Sequence, residues 1–156
     1  MYANMDEYHK LRPWTEIESC ECPSVSGLFL VDKLSDNPLH CDHCLREVDP
    51  ERLQLTVRET GMVASWFSVE SALYGLWLDS GDYEQYAKQQ LIDIEGQVNR
   101  DGLEIAEILS SKIPTKLWVF YDTDDGVPVA CPRCGKPLDE DVDWGTGKCE
   151  SCRIQM

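Results

Sequence analysis

The sequence predicts an α+β fold, with short β-strands and hairpins around two zinc knuckle or ribbon sites and about three α-helices in the centre. Three observations lead there. Eight cysteines fall in four close pairs with none left over. The segments beside those pairs are short apolar runs bounded by turn-forming residues, and the stretch between the second and third pairs changes to helical period.

The pairs are Cys20 with Cys22, Cys41 with Cys44, Cys131 with Cys134, and Cys149 with Cys152. A short turn between two thiolates aims both sulfurs at one cation while backbone N–H groups hydrogen-bond to them, so one pair supplies half a tetrahedron. The later two pairs read C-x2-C, fourteen residues, C-x2-C, the spacing of a zinc ribbon. Gly135, directly after Cys134, can take the positive φ that closes such a knuckle. The earlier set reads C-x-C, eighteen residues, C-x2-C, with a tighter first turn and with Leu45 where a glycine would follow Cys44. Two structural zinc ions, one per set, are therefore expected.

Other readings of the cysteines stand beside zinc. Disulfides would suit a secreted chain, but Met1 to Glu7 shows no basic head leading into an apolar stretch, so reduced thiols and a cytoplasmic location are expected. Four thiolates can also hold an iron–sulfur cluster, and a lone C-x2-C can do redox chemistry in a strand-to-helix setting. His40 and His43 flank Cys41 and are alternative ligands, or else surface residues beside a knuckle. A site of four cysteines leaves no coordination position for water or substrate, so its contribution is folding energy. The chain also lacks a glycine-rich phosphate loop, a Gly-x-Ser-x-Gly elbow and a His-Glu-x-x-His helix. A non-enzymatic protein is expected.

The elements follow in chain order. The first nineteen residues, with Tyr2, Tyr8, Trp14 and Ile17 around Pro13, offer a strand or irregular packing, and His9 reads as a surface residue. Gly27 to Val31 is a short apolar run and reads as a strand, followed by the loop Ser35-Asp36-Asn37-Pro38. Leu53, Leu55 and Val57 alternate with polar neighbours and read as a second strand. Ser68 is a candidate N-cap for a helix burying Val69, Ala72, Leu73, Leu76 and Trp77 and ending near Ser80 and Gly81. Asp82, with Gln85 at the capping-box position, opens a second helix with Tyr83, Tyr86, Ala87, Leu91 and Ile94 on its stripe. A third helix runs from about Gly102 to the stop at Pro114. Lys116 to Tyr121, the acidic turn Asp122 to Gly126, and Val127 to Ala130 give a β-hairpin signal, its aromatic residues reading as core. The chain is expected to be one compact domain over 1–156, with a first zinc lobe at 20–44, a helical segment at 66–113, and a hairpin with the C-terminal ribbon at 116–156.

The formal net charge is -15, and eight ligating thiolates outweigh two divalent ions, so the metal-loaded chain is more acidic still. Nucleic acid is held mainly through Lys and Arg contacts to phosphate. Neither ribbon is basic: Arg133, Lys136, Lys148 and Arg153 are outnumbered by Asp139, Glu140, Asp141, Asp143 and Glu150. Such a charge steers a basic protein toward the surface. Contact candidates are Asp122, Asp124 and Asp125 of the acidic turn and Asp139, Glu140, Asp141 and Asp143 of the ribbon tip, although solvated acidic surface is the plainer reading of both. No apolar run approaches the roughly 20 residues that span a bilayer, so no membrane partner is expected.

From Pro38 to Cys152 the chain resembles a bacterial family of uncharacterised zinc-ribbon-containing proteins to which nucleic-acid binding is ascribed. The resemblance rests on Pro38 to Cys44, Trp66, Leu76-Trp77, Ser80-Gly81, Glu84, Ala87, Gln90-Leu91, Gly102, Pro114, Cys131 to Gly135 and Cys149 to Arg153. It implies zinc binding, and it does not extend to Cys20 and Cys22. A fainter likeness is to myxobacterial immunity proteins with doubled C-x2-C-G motifs, matched fully by Cys131, Cys134 and Gly135 alone. Together with the charge, it implies an acidic immunity protein that binds and neutralises a basic toxin domain. The rival expectation is a nucleic-acid-binding or transcription-associated ribbon using Arg133, Lys136, Lys148 and Arg153, and a third is a structural subunit of a larger assembly.

Overall fold

A computed structural model describes residues 10–11 and 19–156. The expectations for Tyr2, Tyr8, His9, Trp14 and Ile17 lie outside the described residues. The elements are β1 (Leu28–Leu30), β2 (Leu39–Cys41), α1 (Val57–Asp79), α2 (Glu84–Ile92), α3 (Gln97–Leu109), β3 (Thr115–Trp118), β4 (Lys148–Cys149) and β5 (Ile154–Gln155), with short 3-10 turns at Pro50–Leu53 and Thr123–Asp125. The class is α+β, as the sequence predicts.

The strands form one sheet in the order β2-β1-β3-β5-β4. The central three, β1, β3 and β5, are parallel, and each outer strand is antiparallel to its neighbour. Two small hairpins, β1–β2 and β4–β5, thus flank a strand delivered by the helices. Alternation along β3 sets the two faces: Thr115 and Leu117 are buried, while Lys116 and Trp118 are half-exposed. Leu117 faces the helices, where a Cβ on Gly102 of α3 would lie 2.8 Å from it and 2.9 Å from the Trp66 indole nitrogen. Only a residue without a side chain lets α3 approach β3 and α1 so closely. The Trp66 indole N–H donates to the Val98 carbonyl (3.0 Å), tying α1 to α3. Asn99 donates to the carbonyls of Leu91 and Asp93 and so satisfies the end of α2. On the opposite face, Phe29 meets Trp118 edge to face at 5.1 Å, and the 139–147 loop folds over Met156.

Several local expectations are corrected. Leu53, Leu55 and Val57 do not form a strand: Asp49 caps a 3-10 turn at Pro50–Leu53, and α1 begins at Val57. The N-cap is Thr56, not Ser68, because Thr56 and Glu59 form a reciprocal capping box of 3.1 and 3.2 Å. The helix therefore starts twelve positions early and buries Thr60, Val63, Trp66 and Glu70, leaving Val69 and Ala72 exposed. The capping box expected at Asp82 does not form, and α2 starts after Tyr83. The third helix starts at Gln97, after Gly96. The expected hairpin of Lys116–Tyr121 with Val127–Ala130 is also absent. β3 pairs with β1 and β5 instead, Val127 and Val129 are exposed, and Ala130 makes only an isolated bridge to Pro137.

Candidate metal centres

The two sulfur clusters lie at opposite edges of the sheet, because the edge strands β2 and β4 end in Cys41 and Cys149. In each of the sets Cys20-Cys22-Cys41-Cys44 and Cys131-Cys134-Cys149-Cys152 the four sulfurs lie within 4.8 Å of one another. Tetrahedral coordination at a Zn–S distance of about 2.3 Å places sulfurs about 3.8 Å apart. Cys134 and Cys149 Sγ are 3.8 Å apart. The donor sets thus fit one zinc ion each, and all eight cysteines are free thiols, not disulfides.

One knuckle is built twice. The Cys41 N–H donates to the Arg46 carbonyl (2.9 Å) and the Leu45 N–H to the Cys41 carbonyl (2.8 Å); the matching bonds run from Cys131 to Lys136 (2.8 Å) and from Gly135 to Cys131 (2.9 Å). Both loops need a left-handed residue after the second cysteine, Leu45 at φ 61 and Gly135 at φ 76. Backbone N–H groups donate to the sulfurs, from Cys22 to Cys20, from Arg46 to Cys44, from Arg133 and Cys134 to Cys131, and from Cys152 to Cys149. Without metal the sulfurs compete for protons. Burial raises Cys20 and Cys149, yet donation from neighbouring N–H and side-chain groups brings both down to about 7. Cys22, held by its hydrogen bond to Cys20, and Cys152, held by burial and its bond to Cys149, are pushed up to about 12. A divalent cation held by these four sulfurs would replace those protons and favour all four as thiolates.

The first centre is supported from outside its own loops. The Arg52 guanidinium donates to the carbonyls of Cys20 (2.8 Å) and Cys22, and the Cys20 N–H donates to the Glu47 carbonyl (2.8 Å). His40 is buried, which corrects its reading as a surface residue. Its Nδ1 lies 2.9 Å from the Leu45 carbonyl, and its Nε2 is 3.0 Å from the Ser35 hydroxyl and 3.1 Å from the Asn37 carbonyl. Burial lowers its pKa, and with Nδ1 against the Leu45 carbonyl the ring braces the knuckle without joining the cluster. His43 is exposed. The two centres are also tied together: the Trp144 indole N–H, from the loop of the second, donates to the His43 carbonyl inside the first knuckle (3.2 Å). Gln155 in turn donates to the Trp144 carbonyl. Arg52 and Trp144 carry no motif and lie far in sequence from the carbonyls they hold, so spacing alone gives no sign of them.

The acidic candidates fall into two places. Asp122 and Asp125 both bind the Lys88 ammonium at 2.9 Å, and Asp122 also accepts from the Asp124 N–H (3.0 Å). Asp124 is exposed, as are Asp139, Glu140, Asp141 and Asp143. Asp139 accepts from the Asp141 N–H (2.9 Å) and shapes the ribbon tip. The basic residues of the rival reading are partly committed: Lys148 pairs with Glu150 at 3.2 Å, whereas Arg133 and Lys136 are exposed.

Fold and sites together define a class, an α+β protein with two structural four-cysteine zinc centres. No family model, no curated protein and no solved structure matches the chain. Among the described residues, no helix is long and apolar enough to cross a membrane.

Proposed function

We propose that the protein is a non-enzymatic binding module in which two closed zinc centres act as rivets and the acidic exterior engages a basic protein. In its most concrete form it is a cytoplasmic bacterial immunity protein that binds and neutralises a toxin domain. The observation that supports this best is the pairing of two closed four-sulfur sites with a formal net charge of -15. Closed sites supply no Lewis acid with an open position, and the charge favours a partner rich in Lys and Arg. The exposed Asp139, Glu140, Asp141, Asp143 and Asp124 are the contact residues proposed, while Asp122 and Asp125 already hold Lys88.

Affinity isolation from the source cell, with mass spectrometry of the retained proteins, tests this reading. A basic toxin-like partner, released as salt rises, is expected. A gel shift at low salt with affinity falling steeply in salt would instead favour nucleic-acid binding through Arg133 and Lys136. A stable large complex with no toxin-like component would point to a structural subunit.

A further inference from the structure

β1 and β3 run parallel, so the segments that leave them emerge at one end of the sheet. The carboxyl ends of parallel strands are a recurrent place for ligand sites in open sheets. Here they border a pocket of about 240 Å³, closed on the helical side by α1. Glu70, Tyr74 and Trp77 enter it from α1 at positions i, i+4 and i+7, one stripe of the helix. Phe120, just past β3, packs edge to face on Trp77 at 4.7 Å and on Tyr74 at 6.2 Å, and Tyr74 and Trp77 lie 5.6 Å apart. Three rings are thereby fixed around one space, although the sequence reads Phe120 as core.

Glu70 is the feature that a core does not explain. It is 6% exposed, and its Oε2 is buried with no hydrogen-bond partner among the described residues. A carboxyl group buried this way ordinarily costs stability unless something satisfies it. Asp32, past β1, adds a second carboxylate to the lining. At the rim Lys33 already places its ammonium 4.0 Å from the centre of the Trp118 ring. The same protein thus already sets a cation on a fourth ring of this lining, Trp118.

We propose that this pocket receives a protonated amine or guanidinium head group, supplied by a Lys or Arg side chain of a basic partner, with the Tyr74, Trp77 and Phe120 rings around it and Glu70 as its counter-ion. The source of the cation rests on the proposed function; the chemistry of the pocket does not. Ring quadrupoles attract cations strongly where water is excluded, and a paired carboxylate offsets part of the cost of burying the cation. Burial, with Asp32 adding to it, raises Glu70 to about 8. The Glu70 carboxyl group therefore favours its neutral form near pH 7, and an entering cation would release its proton to solvent. The titratable and charged groups around Glu70 are Asp32, Lys33, Tyr74 and Tyr121. Tyr74 is itself raised by burial, which keeps it neutral. Lys33 is lowered by burial, so Glu70→Gln is needed to assign any pH dependence to the carboxyl group.

The test uses the full-length, zinc-loaded protein, with N-acetyl-argininamide, N-acetyl-lysinamide, the neutral N-acetyl-norleucinamide and tetramethylammonium as probes, read by indole NMR shifts and calorimetry. One of the two charged amides is expected to bind and to shift the Trp77 indole signal, whereas the norleucine compound does not. Affinity should rise between pH 6.5 and 8.5, with proton release on binding. Glu70→Gln, which keeps the shape, should weaken binding about tenfold or more and flatten the pH dependence. Phe120→Leu, checked for an intact fold by circular dichroism, should weaken binding while leaving the pH dependence. Equal binding of the neutral amide, no binding of either charged amide at about 10 mM, or an unchanged affinity in Glu70→Gln would overturn the site. Tetramethylammonium binding about tenfold more tightly than both charged amides would overturn a side chain as the source. Because no partner is present, failure here leaves the immunity reading standing, and failure of partner isolation leaves the pocket standing.

Discussion

The second metal centre closes its knuckle on Gly135 at φ 76, whereas the first closes the same loop on Leu45 at φ 61. A side chain in the left-handed region costs about 1–2 kcal/mol, and glycine avoids it. The first centre offsets that strain with groups outside the knuckle loop: His40 holds the Leu45 carbonyl, and Arg52 clamps both carbonyls of the Cys20–Cys22 turn. The second needs less of this, since β4, the knuckle and β5 follow one another closely in the chain. A metal loop can thus be stabilised by its own sequence or by the fold that surrounds it, and the motif shows only the former.

Breaking the metal clusters has the largest expected effect. Structural zinc contributes on the order of 10 kcal/mol in small domains, comparable with the whole stability of a domain. Cys41→Ser should release one zinc and disorder the β1–β2 edge, while Cys134→Ser should release one zinc and leave the helical core folded. Mass spectrometry of the intact protein with hydrogen exchange checks both. Next comes Arg52→Ala, which removes two charged hydrogen bonds and should cost about 2–4 kcal/mol, read by thermal unfolding together with the zinc affinity of the first site. The same change has no counterpart in the second centre, so that site should keep its affinity.

The αL residues sharpen the comparison with smaller effects. A Cβ on Gly135 would meet nothing within 4 Å, so Gly135→Ala isolates the backbone term and should destabilise by about 1 kcal/mol in denaturant unfolding. Leu45→Gly should move the other way by no more than about 1 kcal/mol, because lost burial of the half-buried leucine offsets the relieved strain. Smallest is Trp144→Phe, which removes the bond to the His43 carbonyl and should cost about 0.5–1.5 kcal/mol without loss of either metal.

The same contrast explains what could be read from the sequence. The four-cysteine sets, the apolar run at β1 and the presence of helices between the clusters were legible, because each is a local pattern of spacing or period. The capping box Thr56-x-x-Glu59 was equally local but was hidden under the alternation of Leu53, Leu55 and Val57, which resembles a strand. Parallel pairing of β3 with β1 and β5 leaves no mark on the sequence, and a hairpin to Val127–Ala130 looked simpler. Nor could spacing reveal Arg52 and Trp144 as braces, or Glu70 facing a ring of aromatic side chains, since each depends on contacts between distant segments, and the local contacts of His40 depend on burial that its neighbours do not signal.

The most direct test of two closed, structural four-sulfur centres is the metal content of the purified protein, with X-ray absorption at the zinc edge. Two zinc ions per chain, each with four sulfur neighbours at about 2.3 Å and no oxygen, are expected. Fewer than two ions, another metal, or a water oxygen in either coordination shell would contradict the account.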